Sequence, residues 1–142
     1  MKQENQMYRE ASSAVNQYQS ASNSSINFAS PHELITRLLN GALERSAQAK
    51  GAIQQKNIRA KGERISKAVS IIGALSGCLD HEKGGELSQN LEGLYEYMIV
   101  LLTEANINND ISKLDETIRL LLEIKGAWIQ VPEKLREAQA AS

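Results

Sequence analysis

The side chains able to do chemistry are few, and their spacing decides against most of it. His32 and His81 are the only histidines among the 142 residues, and Cys78 is the only cysteine. Cys78-Leu79-Asp80-His81 has half the spacing of a zinc site, because a thiolate and an imidazole three residues apart can supply two of four tetrahedral ligands. No second cysteine and no suitably spaced histidine completes the set. A di-iron site inside a helical bundle needs Glu-x-x-His pairs on two helices, and the chain has none. His32 follows Pro31 in what reads as a first helical turn, where a charged imidazole opposes the helix dipole, so it is read as solvated. With no nucleophile and base to pair, no catalytic residue, metal or cofactor is assigned, and a non-enzymatic role is expected.

His81-Glu82-Lys83-Gly84 suggests phosphoryl transfer, since histidine phosphotransfer domains are also four-helix bundles with a phospho-accepting histidine followed by Lys and Gly. Those domains place the histidine mid-helix with Lys three and Gly four residues on, whereas here the intervals are two and three and the histidine falls at a helix end. Gly84-Gly85 is no phosphate loop either, lacking a preceding strand and the Gly-Lys-Ser/Thr ending. A phosphotransfer bundle or a generic helical interaction module remains the alternative to the reading reached below.

The elements that carry these residues are helical. A chain of this length, 42% hydrophobic and 23% charged, makes one domain with a core. Sixteen Lys and Arg against 17 Asp and Glu leave a net charge of -1, with no basic patch for nucleic acid and no polybasic segment for an anionic membrane. No run approaches 18 apolar residues, so no membrane insertion is expected, and the lone cysteine with a polar N-terminus points to a cytoplasmic, reducing setting. Of the first 30 residues, 7 are Ser, 4 Asn and 4 Gln, a composition that competes with its own backbone for hydrogen bonds. Residues 1–30 therefore read as an arm with a short helix near 12–19, residues 31–131 as the folded body and 132–142 as a tail.

The first long helix has a capping box, with Ser30 at N-cap, Pro31 at N1 and Glu33 at N3, and Ile35, Leu39, Ala42, Ala49 and Ile53 carry it to about residue 55. Asn57 caps a second, whose apolar set Ile58, Ile65, Ala68, Val69, Ile72, Leu75 and Leu79 runs to about residue 80. The third, over 85–106, reads Leu87, Leu91, Leu94, Met98, Leu101, Ala105, a strict alternation of four and three that makes a bundle seam. After the turn Asn106 to Asp110, a fourth over 110–130 carries Ile111, Leu114, Ile118, Leu121, Ile124 and Trp128. No segment alternates at period two. The fold class is all-α, an antiparallel up-down four-helix bundle with a polar N-terminal arm.

These helices hold more apolar surface than one seam each requires. The third has a second stripe in Tyr95, Ile99 and Leu102, the first has both Leu34/Leu38 and Ile35/Leu39, and the fourth has Leu120, Leu121 and Leu122 in succession. Either the core is wide and the arm helps cover it, or a groove is left for a partner's amphipathic helix.

Ala29-Ser30-Pro31-His32-Glu33-Leu34-Ile35, Asn40-Gly41-Ala42, Asp80-His81-Glu82-Lys83-Gly84-Gly85-Glu86-Leu87, Asn90-Leu91 with Leu94-Tyr95-Glu96-Tyr97-Met98-Ile99, Glu104-Ala105-Asn106-Ile107 and Ala127-Trp128 occur in one order and spacing. Together they closely resemble the flagellin export chaperones, the FliS family, collinearly from about Val15 to Val131. One departure is Leu38-Leu39-Asn40-Gly41, where the family usually has an aromatic residue and an aspartate before the glycine. The resemblance implies a cytoplasmic chaperone that holds the C-terminal region of flagellin, prevents premature polymerisation and delivers it to the flagellar type III secretion apparatus. The partners it implies are the flagellin C-terminal segment, the flagellar export-gate protein and other flagellar regulators, with a homodimer when no client is bound. Combined with the spare stripes, it suggests a client site at Ile35, Leu39, Tyr95, Tyr97, Ile99 and Leu102. Ile26 and Phe28 of the arm are then the cover of that groove, and Val15 and Tyr18 the element that docks to the export gate.

Replacing Ser30 by Ala removes the cap of the first helix and should lower stability by about 1 kcal/mol in urea denaturation.

Overall fold

Side-chain caps set most of the helix starts in the computed structural model, which describes residues 30–130 and 133–139. Ser30 Oγ accepts the Glu33 N–H at 3.2 Å and opens α1, Pro31–Gln54. Asn57 Oδ1 accepts the Ala60 N–H at 3.1 Å and opens α2, Ile58–Gly77. Asp80 Oδ1 accepts from Lys83 N–H at 3.0 Å and opens α3, His81–Asn108. Asp110 Oδ1 accepts from the Ser112 N–H at 3.0 Å ahead of α4, Ile111–Gln130, and the Ser112 hydroxyl bonding the same carboxylate holds its pKa below the usual range. A fifth helix, α5, spans Glu133–Gln139 within what the sequence suggested was a tail.

Three connections of two or three residues make α1 to α4 antiparallel neighbours. α1 packs on α2 and α4, α3 packs on the same two, and α5 lies on α3. At one pole the α1–α2 turn meets the α3–α4 turn, and at the other the α2–α3 turn meets the start of α1, the end of α4 and α5. The upper pole is tied by Lys61, 8% exposed, whose Nζ donates to the Asn106 carbonyl at 2.8 Å and to Asn109 Oδ1 at 2.6 Å. A cation there faces the unpaired carbonyls that end α3, the negative pole of that helix. The position reads as a polar gap in the apolar set of α2, yet its aliphatic stem is buried and only its head needs partners.

The third helix differs from the expected 85–106 at its start. Asp80 caps an extra turn, His81 to Gly84, and Gly85 then breaks the helix with φ 51° and ψ −121°, a conformation open to glycine because it has no Cβ. The seam also differs. Buried along α3 are Ser88, Leu91, Tyr95, Met98, Leu101, Leu102 and Ala105, while Leu87 and Leu94 are only partly covered. The central ridge is thus Ser88-Leu91-Tyr95-Met98-Leu102-Ala105, which also alternates three and four. It shares Leu91, Met98 and Ala105 with the expected ridge and takes Ser and Tyr where leucines were expected. Of the remaining expected core residues, Ile72, Leu114 and Leu121 are buried and Ile118 is half-buried, its neighbour Thr117 taking the inside position.

Truncating a core leucine costs transfer free energy plus the cavity left behind. Leu101→Ala, at a position 2% exposed, should therefore lose about 2 to 5 kcal/mol in urea denaturation. Leu94→Ala, at the edge of the core, should lose clearly less.

Candidate functional site

Among the described residues, two clusters of polar groups lie against the core at the pole where α2 turns into α3, opposite the pole that Lys61 ties. The first joins α1 to α4. His32 stacks on Trp128 with ring centroids 4.8 Å apart and planes 16° apart. Trp128 Nε1 donates to Thr36 Oγ1 at 3.0 Å and lies 3.3 Å from the His32 carbonyl. Trp128 is 1% exposed, so its one polar atom needs these partners. His32 is half-buried against the indole where solvation was expected, and its place is explained by closing α1 onto α4.

The second joins α5 to α2 and α3. Gln139, 1% exposed, donates from Nε2 to the Leu75 carbonyl at 2.7 Å and accepts at Oε1 from the Tyr95 hydroxyl at 2.5 Å. The Ala138 carbonyl accepts from the Asp80 N–H at 2.8 Å and lies 3.2 Å from the Ser88 hydroxyl, which also reaches the Asp80 carbonyl at 2.7 Å. Gly84 permits this approach, since a Cβ there would stand 2.6 Å from Ala138 Cα. Burial, with the neighbouring Cys78 second, drives the Tyr95 phenol far above its ordinary pKa, and burial raises the Cys78 thiol as well. Both stay neutral. Sequence reasoning missed Gln139, Ala138 and Ser88 because nothing in a short polar tail signals that its amide will be buried.

The six candidate client positions divide sharply. Ile35, Leu39, Tyr95 and Leu102 are at most 1% exposed, Ile99 is half-buried and Tyr97 is 44% exposed. Tyr95 and Leu102 of the second stripe of α3 and the doubled stripe of α1 are therefore core, with Ile99 at its edge. α1 buries both Leu34/Leu38 and Ile35/Leu39 because it packs against two helices at once. Tyr97 donates its hydroxyl to Glu116 Oε1 at 2.7 Å, bridging α3 to α4 on the outside, and that bond raises its pKa. Val100 on α3 and Leu122 and Ile129 on α4 are the other large apolar side chains exposed along the bundle's flanks. Ile26, Phe28, Val15 and Tyr18 lie outside the described residues.

Among the described residues, no three His, Cys, Asp or Glu side chains gather where a metal could be held, and no helix is long and apolar enough to cross a membrane. His81 occupies the first position of α3, 49% exposed, 3.2 Å from Glu92 Oε2. It is not the mid-helix histidine that phosphotransfer requires.

A family model described as Flagellar protein FliS matches residues 14–135. The chain is 52% identical over 119 residues to the flagellar secretion chaperone FliSB of Pseudomonas aeruginosa, covering 83% of this chain and 94% of that protein. It is 45% identical over 118 residues to the flagellar secretion chaperone FliS of Vibrio cholerae, covering 83% and 87%. Over 127 residues it is 33% identical to the FliS of Bacillus subtilis, covering 89% and 94%.

The Tyr95–Gln139 bond is buried, so removing one partner strands the other. Tyr95→Phe should destabilise the fold by about 1 to 3 kcal/mol, while Tyr97→Phe, which frees an exposed carboxylate, should stay within about 0.5 kcal/mol, both measured by urea denaturation.

Proposed function

The chain belongs to the FliS family, and from that premise we propose that it is a non-enzymatic, cytoplasmic export chaperone for flagellin. In this reading it holds the C-terminal segment of flagellin, keeps it from polymerising early and delivers it to the flagellar type III export apparatus. The observation that carries the reading is the match to relatives named flagellar secretion chaperones over more than four-fifths of the chain. The architecture suits it. A client segment that folds on binding loses several kcal/mol to ordering, and a helical surface with apolar side chains at its edge offsets that loss by covering the client's apolar face.

Tyr97 and Ile99 are the positions a client touches first, being reachable on the closed bundle. Ile35, Leu39, Tyr95 and Leu102 form the layer beneath and become accessible only as whatever covers them moves aside. The arm, through Ile26 and Phe28, serves as one such cover, and Val15 and Tyr18 serve handover to the export-gate protein.

Calorimetric titration with a flagellin C-terminal fragment tests the proposal. Binding should be measurable with the C-terminal fragment and absent with an N-terminal one. Ile99→Asp should weaken it by about tenfold, the loss expected for about 1.4 kcal/mol of apolar contact, while circular dichroism shows an unchanged bundle. Equal binding of both fragments would leave only a generic helical interaction module.

A further inference from the structure

At the pole that Lys61 ties, the α1–α2 turn and the start of α2 wall a cavity of about 390 Å³, a size suited to a small molecule or a single residue. Part of the wall is apolar: Ala52, Ile53 and Ile58, the last 74% exposed although it is a large aliphatic side chain. The rest is Lys56, Asn57, Lys61 and Asn109.

These four polar side chains have hydrogens to give, and each of their oxygens already accepts a bond. Asn57 Oδ1 takes the Ala60 N–H at 3.1 Å, and Asn109 Oδ1 takes Lys61 Nζ at 2.6 Å, so what each amide has over is its NH2 group. An ammonium carries three hydrogens, and Lys61 uses two of them, on Asn109 and on the Asn106 carbonyl. Lys56 makes no hydrogen bond or ion pair among the described residues. It stands at φ 59°, a left-handed position after α1 that glycine fills most easily, so a charged side chain is kept there against the local preference.

The charge is unmatched as well. A buried cation is ordinarily paired with an anion, yet Lys61, 8% exposed, meets only neutral oxygens. The carboxylates beside it in α2 and beside Asn109 in the next turn are engaged elsewhere, Glu63 by Arg59 at 3.2 Å and Asp110 by Ser112. An alcohol or amide brought to such a wall carries a hydrogen with no acceptor to meet, whereas a carboxylate only accepts. An inorganic anion leaves the apolar part of the wall unused.

We propose that this cavity binds a carboxylate carried on a compact apolar body, with its oxygens on Lys56 and Lys61, the Asn57 and Asn109 amides beside them, and its hydrocarbon against Ile53 and Ile58. That chemistry occurs in a free branched-chain acid and in the C-terminal residue of a polypeptide. The inference is separate from the chaperone reading and does not depend on it.

The test is an amide NMR titration of the full chain, at fixed ionic strength, with isocaproate, isocaproamide, acetate and N-acetyl-leucine. Isocaproate should move the signals of Ile53, Lys56, Ile58 and Asn109 saturably, with a Kd of about 1 mM or below. Isocaproamide has the shape without the charge and acetate the charge without the body, and each should bind about tenfold more weakly. Lys61→Met should weaken isocaproate about tenfold, and the exposed Lys56→Gln about threefold. Should Lys61→Met lose its helicity by circular dichroism, Lys56→Gln and the comparison with isocaproamide decide. N-acetyl-leucine binding more tightly than isocaproate assigns the site to a chain terminus, and the reverse order assigns it to a free acid; both support it. Equal affinity for isocaproate and its amide, equal affinity for isocaproate and acetate, no saturation, or variants that bind as the parent does would each overturn the proposal.

Discussion

A tyrosine hydroxyl at the centre of a helical core has to be given a partner, because an unpaired one costs more than most single contacts return. Tyr95 sits on the central ridge of α3, 0% exposed, and the partner it finds is neither on a neighbouring long helix nor in water but on Gln139 near the end of the described chain. Much of the lower pole follows from that one requirement. Gln139 must itself be satisfied, which uses the Leu75 carbonyl; the backbone beside it must approach α3 closely, which requires glycine at 84; and the Ala138 carbonyl must be met, which involves the Asp80 N–H and Ser88.

The same requirement explains where the sequence was legible and where it was not. The order and most boundaries of the four long helices follow from caps and periodicity, local signals that Ser30, Asn57 and Asp110 supply whatever the rest of the chain does, whereas the short α5 does not. The ridge of α3 was not legible in full. Two alternations of three and four run through that helix, one through Leu87, Leu94 and Leu101 and the other through Ser88, Tyr95 and Leu102, and hydrophobicity alone favours the first. Residues far along the chain decide for the second by supplying hydrogen-bond partners that no window around α3 contains. Lys61 shows the same effect, because its burial depends on the helix end facing it across the bundle.

A wide core also changes what surplus hydrophobicity means. Both stripes of α1 are consumed because the helix is flanked on two sides, so apolar excess on a sequence is evidence of a groove only once the neighbours of each helix are known. Of the large apolar side chains left at the surface, Tyr97, Val100, Leu122 and Ile129 lie along the last two long helices, while Ile58 opens α2 and Ile107 stands near the end of α3.

An even number of antiparallel helices returns a chain to the pole where it set out. The His32–Trp128 stack puts the beginning of α1 against the end of α4, and the Asp80–Ala138 bond brings the last helix to the same place. Everything attached before Ser30 and everything after Gln130 therefore departs from one small area. Ser30 and Gln139 both stand at that pole by parity alone, so joining them through a short linker while opening the chain at the distant α1–α2 turn would leave every helix where it is.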